Sequence, residues 1–407
     1  MRVRFKTHIM RNLIAILATF LLCIIFVSCT KNGPLRETSS PTTIPTGGFS
    51  DAKDASSGSS GSGSGASQPG VITAGEWNDL AHWDFWNELL LRDTINTFPH
   101  SWGFNTNNRI SVQLKDDHGY LLHDVILNLV INGNTITART DNFGVAELFP
   151  GLFDEGSLTG NFSLTAAYQG HSFDLGTYDA GQTTIIRSIP VTKMNKPILD
   201  ISFVVDATGS MGDEIYYLKN ELSDVINRAG SQLAGTQIRM SSVFYRDEGD
   251  EYLTRPFAFT TNSGSLVDFI KAQNANGGGD FPEAVDKGLE AAIEGLQWSD
   301  DAVNRLLFLI LDAPAHDGQE QISRVHKIVV EAQKKGVRII PVSASGIDRS
   351  TEFFLRFLAV STNSTYIFIT NDSGIGLPHL VPTVGEYTVE YLNNLMVRLI
   401  TKYGTNK

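Results

Sequence analysis

The chain has 407 residues, 42% of them apolar and 19% charged, and this length predicts two or three domains with separate cores. The 44 Asp and Glu outnumber the 32 Lys and Arg, and the net charge of −12 argues against a nucleic-acid partner held on a basic surface. Both cysteines, Cys23 and Cys29, lie near the N-terminus, which excludes a disulfide framework or a cysteine-based zinc site from the rest of the chain.

The first segment has the composition of an export signal. Residues 2–11 carry four basic side chains and no acid, and the apolar run 13–27 has signal-peptide length, short for a membrane span. Ser28 and Cys29 end this run and resemble a bacterial lipobox, which implies cleavage after residue 28 and lipidation of Cys29. We therefore expect a lipid-anchored protein of the bacterial cell envelope, on its periplasmic or surface side. The alternative is a plain signal anchor with an incidental cysteine.

Residues 29–75 follow as a segment rich in Ser, Gly, Thr and Pro. Its centre, residues 56–67, reads SSGSSGSGSGAS and has no apolar periodicity. Such composition is typical of a flexible coil, which predicts a tether between the anchor and the folded part.

Residues 76–193 are predicted to be one helix followed by a small β-sandwich. Trp77, Leu80, Trp83, Trp86 and Leu90 recur at spacings of three or four, which indicates an amphipathic helix and favours core packing over a carbohydrate-stacking platform. Short alternating runs separated by turn residues then predict strands. These runs are 110–116, 124–131, 135–140, 145–149, 162–168 and 183–189. The stretch from Val112 through TDNFGVAEL resembles bacterial Ig-like and carboxypeptidase-regulatory-like modules.

Residues 194–407 alternate buried strands with amphipathic helices. This alternation predicts an α/β fold with a doubly wound, mostly parallel, six-stranded sheet covered on both faces. The predicted strands are 198–205, 237–245, 252–259, 305–311, 337–344 and 365–370. Helices are expected at 215–229, 265–272, after Pro282, at 319–334, near 351–360 and at 384–402. Ligands of such sheets bind outside the carboxyl ends of the central strands.

Oxygen-bearing side chains gather at these strand ends. Asp206, Thr208 and Ser210 follow the first strand at alternate positions, Asp312 follows a later strand, and Asp280 precedes a helix. Hard oxygen donors with few carboxylates suit Mg²⁺, with Mn²⁺ and Ca²⁺ as alternatives. The competing interpretation is that Asp206 and Asp280 are only helix N-caps.

The same residues resemble the von Willebrand factor A (VWA) domain. Asp206, Thr208 and Ser210 match its Asp-x-Ser-x-Ser motif with Thr for the first Ser, and Asp312 matches the aspartate that closes a central strand. The resemblance implies a metal-ion-dependent adhesion site, a Rossmann-like fold, and a protein partner that offers an acidic residue to the metal. Asp280 stands where many members have Thr, which implies a more neutralised metal and weaker capture of an acid.

Four further residues are candidates for the rim or the outer shell of this site: Arg246, Asp247, Glu283 and His316. Arg246 could pair with a site acid. Asp247 could equally belong to a solvated acidic turn, and a lone loop histidine such as His316 is commonly solvated.

The sequence is compatible with three functions. The first is an envelope lipoprotein whose VWA domain binds a divalent cation and mediates protein–protein interaction or adhesion. The second is a structural or assembly lipoprotein with a purely structural metal. The third is a Mg²⁺-dependent phosphotransfer enzyme, which the sequence disfavours because Thr208 stands where the second acid is needed and no paired acidic motif follows Asp312. We expect no catalytic activity.

Overall fold

The computed structural model describes residues 68–154, 159–279, 281–374 and 378–405. The predicted signal peptide 1–28, the lipidation site Cys29 and most of the tether 29–75 lie outside these residues. So does Asp280. The described residues all belong to one compact unit.

A large sheet of eight strands organises this unit. Its strands are β1 Thr73–Trp77, β9 Ile198–Asp206, β10 Gln237–Tyr245, β11 Thr254–Thr260, β12 Ala302–Leu311, β13 Val337–Ser343, β14 Tyr366–Ile369 and β15 Val389–Tyr391. Their spatial order is β11-β10-β9-β12-β13-β14-β1-β15. The five central strands β10, β9, β12, β13 and β14 are parallel, and β11, β1 and β15 are antiparallel to their neighbours.

The predicted count of six strands is therefore corrected to eight. All six expected strands are present, and β1 and β15 add to the sheet beyond β14. Neither has a local signal, because β1 lies in a segment read as tether and helix, and β15 has only three residues.

Eight helices of the described residues accompany the strands: α1 Trp83–Leu90, α2 Phe98–Trp102, α3 Gly212–Gln232, α4 Ser263–Lys271, α5 Val285–Glu290, α6 Gln319–Lys335, α7 Arg349–Ser361 and α8 Leu392–Gly404. A π-helical turn, Ala291–Gly295, extends α5. Apolar stripes of α3, α4 and α8 pack in one cluster with one face of the large sheet, and those of α5, α6 and α7 pack on the other. Both faces are thereby covered, as a parallel sheet requires.

Two small sheets lie between β1 and β9 in sequence. Their spatial orders are β5-β2-β8 and β4-β3-β6-β7, and they share one apolar cluster. The bounds are β2 Ile110–Lys115, β3 Ile126–Ile131, β4 Asn134–Arg139, β5 Val145–Leu148, β6 Asn161–Tyr168, β7 His171–Asp179 and β8 Thr184–Ser188. Strand β7 was not expected from the sequence.

The segment before the small sheets packs with the large sheet, unlike the predicted grouping of residues 76–193. Trp77, Trp86 and Trp102 are buried in the same apolar cluster as α7. The carboxylate of Asp79 accepts hydrogen bonds of 2.6 and 2.9 Å from the buried guanidinium of Arg356 on α7. The tryptophan stripe is a core stripe, and the core it fills is the larger one.

The small sheets dock at the amino ends of the large sheet's strands. Asp124 accepts from Arg139 and Lys196, and from Arg305 near the start of β12 at 2.9 Å. The side-chain nitrogen of Asn304 donates to Asn142 at 2.9 Å. These buried polar contacts fix the small sheets at the end of the large sheet opposite the predicted site.

Among the described residues, no helix has the length and the apolar character needed to cross a bilayer.

Candidate functional site

The loop after β9 is held by its own side chains. Asp206 is the last residue of β9 and is fully buried. Its Oδ1 accepts hydrogen bonds from the Thr208 amide at 2.8 Å and from the Thr208 hydroxyl at 2.7 Å. The Thr208 and Ser210 hydroxyl oxygens lie 3.3 Å apart. The predicted trio is thus brought together directly before α3.

Two more carboxyl groups reach the same place. Asp312 directly follows β12, and the nearby Ser210 side chain lowers the pKa of its carboxyl. The Thr208 side chain lowers the pKa of the Glu283 carboxyl in the same way. Glu283, expected only at the rim, is 3% exposed and belongs to the centre of the cluster. One oxygen of each group, Asp312 Oδ1 and Glu283 Oε2, is buried without a hydrogen-bond partner.

Burial and mutual repulsion raise the pKa of each carboxyl in this cluster. Desolvation raises the pKa of Asp206 to about 6, although hydrogen bonds from Thr208 and Tyr245 oppose the rise. Desolvation and then the Asp206 charge raise the pKa of Asp312 to about 7. Desolvation and then the charges of Asp206, Asp247 and Asp312 raise the pKa of Glu283 to about 9. Negative charge is therefore disfavoured here unless a cation compensates it.

Two contributors have no motif that would reveal them in the sequence. The hydroxyl of Tyr245, the last residue of β10, donates to Asp206 Oδ2 at 3.2 Å. Glu214 on α3 is buried, accepts a hydrogen bond from Ser345, and its charge raises the pKa of Asp312. In the sequence Tyr245 lies within an apolar strand and looks like a core residue. Glu214 lies in the first turn of an amphipathic helix and looks like a surface residue.

The remaining rim candidates make contacts that hold the loops in place. Arg246 does not pair with a central acid, because its guanidinium donates to the backbone carbonyls of Ala207 at 3.1 Å and Asn274 at 2.9 Å. His316 Nε2 and Asp247 Oδ1 lie 2.8 Å apart and join the loops after β12 and β10. These residues fix the positions of the loops that carry the cluster.

Glycines bring the loop before α5 against the cluster. Gly278 has a φ of +70°, and a Cβ there would lie 2.7 Å from Glu283 Oε1 and 3.1 Å from Thr208 Cβ. Its amide donates to Asp250 at 2.9 Å. Above the cluster opens a depression of about 480 Å³, lined by Gly209, Ser210, Gly277, Gly278, Gly279, Phe281, Glu283, Asp312, Ala313 and Gly346.

The donor set fits a hard cation in part. Its two orphaned buried carboxylate oxygens and two hydroxyls are the oxygen types that Mg²⁺ prefers. Within the described residues, which leave out Asp280, no three His, Cys, Asp or Glu side chains stand in ligating positions. The Thr208 hydroxyl is directed at Asp206, so a cation would have to displace that hydrogen bond.

Comparisons with known sequences match the part of the chain that carries these loops. The family model of the von Willebrand factor A domain matches residues 200–376. Similar curated proteins include an ariadne-like RING finger protein of Acanthamoeba polyphaga mimivirus, 32% identical over 30% of this chain and 12% of its own length. The alpha-protein kinase vwkA of Dictyostelium discoideum is 28% identical over 29% of this chain and 19% of its own. This chain therefore spans less than a fifth of either relative.

Solved structures with some similarity include the conserved hypothetical protein BatB from Bacteroides thetaiotaomicron, with 12% identity, a TM-score of 0.33, and coverage of 51% of this chain and 96% of that one. Proximal thread matrix protein 1 of the mussel byssus has 19% identity, a TM-score of 0.34, and coverage of 50% and 45%. The sequence match, taken with the large mixed sheet, identifies the part of the chain that carries the site: residues 200–376 form a VWA-type domain.

Proposed function

We propose that this protein binds a divalent cation at the loops after β9 and β12 and uses the surrounding face to engage a protein partner. VWA domains generally mediate protein–protein interaction, and residues 200–376 form such a domain. The single observation that carries the metal proposal is the convergence of Asp206, Asp312 and Glu283 with two buried carboxylate oxygens that have no partner.

Mg²⁺ is the cation we favour, with Mn²⁺ and Ca²⁺ as alternatives. Thr208, Ser210 and the carboxylates of Asp206 and Asp312 would hold it, and we keep Asp280 as a proposed ligand from its sequence position. When bound, the cation supplies positive charge that compensates the buried carboxylates and an open position for a partner group. Glu283 would act beside Thr208 and limit the net positive charge that a partner meets.

The cellular setting is a separate proposal from the sequence. The basic and apolar N-terminal run, with Ser28 and Cys29, supports a signal peptide and a lipid anchor in a bacterial envelope. Residues 29–67 would then hold the folded part away from the membrane. We further propose that the two small sheets form a sandwich-like module that supports the VWA-type domain, since they share one apolar cluster.

Two other functions are weaker. A purely structural cation in an assembly protein is the second candidate, favoured by the closed hydrogen bond between Thr208 and Asp206. A phosphotransfer activity has little support, because the kinase named among the relatives shares only 19% of its length with this chain. We therefore propose a non-enzymatic role.

Isothermal titration of Mg²⁺, Mn²⁺ and Ca²⁺ into the whole chain tests the metal proposal. We expect saturable binding by the wild type and none by Asp206→Ala, because that change removes the carboxylate that orders the loop. Asp213→Ala, an exposed acid at the start of α3, is the matched control and should bind as the wild type does. Equal binding by Asp206→Ala would refute the site.

A further inference from the structure

The face that surrounds the depression is rich in acidic residues. We call this surface the acidic face and define it by the segments at the carboxyl ends of β9, β10, β12, β13 and β14 and by the segment leading to α5. These segments are 206–213, 246–251, 275–279, 281–284, 312–318, 344–348 and 370–374. They include eleven Asp and Glu and a single Lys or Arg, Arg246. Their formal charge is thus −10.

Six of the eleven acids are exposed: Asp213, Glu248, Glu251, Asp317, Asp348 and Asp372. Arg246 is 4% exposed, donates to two backbone carbonyls and lies 3.4 Å from Glu251, which Arg255 also approaches at 3.6 Å. The other five exposed acids have no ion pair with an arginine or lysine among the described residues. Arg349 lies just past the acidic face, and its guanidinium pairs with Glu352. One divalent cation adds two positive charges at the buried cluster, and the six exposed acids around it keep the face negative. Glu283 and Asp312, each with one buried oxygen that has no hydrogen-bond partner, are among the residues that line the depression.

An exposed aromatic ring lies at the same opening. Phe281 lines the depression and is 48% exposed, next to the glycines that form the wall. Arginine and lysine side chains stack favourably on aromatic faces. An acidic rim with an aromatic ring at its mouth is therefore suited to a basic side chain, whereas an incoming carboxylate would meet repulsion from every side.

We propose that the acidic face binds a basic, arginine- or lysine-bearing segment of a protein partner, and that one basic side chain enters the depression beside Phe281. This rests on the proposed protein-binding function and replaces the acidic partner residue that the family resemblance implies. Electrostatic complementarity of this kind raises association rates and makes binding salt-sensitive.

The test uses the whole chain and three synthetic peptides of equal length, which carry arginines, glutamates or neutral serines at the same positions. We expect the arginine peptide to bind, with and without Mg²⁺, and its affinity to fall as salt rises. Neutralising two rim acids, Glu248→Gln with Asp317→Asn, should weaken that peptide on the order of tenfold. The control pair, Glu294→Gln with Asp117→Asn, removes the same charge from exposed positions outside the acidic face and should change affinity by less than twofold or so.

A variant that fills the depression tells whether a basic side chain enters it or is only attracted to the acidic face at long range. A Cβ at Gly279 meets no atom within 4 Å, so Gly279→Val adds bulk to the cavity without disturbing the fold. We expect this variant to lose arginine-peptide affinity. Equal weakening by the rim and control pairs, unchanged binding by Gly279→Val, or Mg²⁺-dependent binding of the glutamate peptide would each overturn the proposal. A separate Mg²⁺ titration of the same samples judges the metal site, so a failed metal proposal is distinguishable from a failed partner proposal.

Discussion

The carboxyl groups of the cluster make the metal-free protein less stable as the pH rises toward neutrality. The pKa of Asp312 is about 7 in the folded chain, above the value near 4 of an unfolded aspartate. Between these pH values the folded state retains a proton that the unfolded state has released. Stability therefore falls as the pH rises from about 4 to about 7, by on the order of 2–4 kcal/mol.

Thermal unfolding in a metal chelator between pH 4.5 and pH 8 measures this effect, which should appear as a falling melting temperature. Asp312→Asn cannot ionise and should make the fall shallower, while the raised pKa values of Asp206 and Glu283 keep part of it. Asp317→Asn, an exposed acid of the same loop, should leave the profile unchanged. A wild-type profile that stays level, or falls equally in Asp312→Asn, would contradict the prediction.

Tyr245 is predicted to tune the affinity for the cation. Its hydroxyl donates to Asp206 Oδ2 and lowers the pKa of that carboxyl. In Tyr245→Phe the carboxylate loses this donor, so Mg²⁺ affinity near neutral pH should fall roughly three- to tenfold, as expected for one hydrogen bond of about 1 kcal/mol. Titration calorimetry checks it. Tyr366→Phe removes a comparably buried hydroxyl that contacts Ser343, and should leave metal affinity unaltered.

At the scale of elements, docking of the N-terminal segment is the largest departure from expectation. We predict that Asp79→Ala lowers the free energy of unfolding by about 3 kcal/mol, because Arg356 is left buried with Glu352 as its remaining carboxylate. Urea unfolding measures the change, and Asp84→Ala in α1 is an exposed control. If both variants had the same free energy of unfolding as the wild type, this segment would contribute little to the stability of the large core.

How much of the fold can be read from the sequence depends on element length and burial. The long apolar runs that become β9 and β12 are readable, because a parallel strand covered on both faces has such composition. Strand β15 has three residues, and the final helix begins at Leu392 rather than near residue 384. Residues 389–391 form a strand because they pair with β1. A pairing partner so distant in sequence leaves no local pattern that could predict the strand.

The site divides in the same way. Four site residues are readable because Asp206 ends β9, Thr208 and Ser210 lie in the loop after it, and Asp312 directly follows β12. Glu283 was placed only at the rim, since its depth depends on Gly278, whose φ of +70° brings the loop against Thr208. Tyr245 was missed altogether. A tyrosine within an apolar strand gives no indication that its hydroxyl meets a carboxylate.

Across the whole molecule, the small sheets and the large sheet are predicted to unfold together. Asp124 is ringed by Arg139, Lys196 and Arg305, which lower its pKa although burial opposes ionisation. Asp124→Ala removes the carboxylate that pairs with these three cations and should lower the free energy of unfolding by about 3 kcal/mol or more. Calorimetry should show one transition for the wild type and a broadened or split one for this variant. Asp117→Ala, on the exposed turn nearby, should retain the single transition.

The entry of the chain into the large sheet also has a mechanical consequence. The Glu221 carboxylate on α3 accepts from the amides of Gly70 at 2.9 Å and Val71 at 3.0 Å, and β1 then runs between β14 and β15. Tension applied from the N-terminal side would pull β1 lengthwise, so both ladders would have to shear together rather than unzip. Part of that load passes through Glu221 into α3, the helix that begins at Gly212 beside Ser210. A pull on the chain and a partner on the acidic face would thus strain one and the same helix.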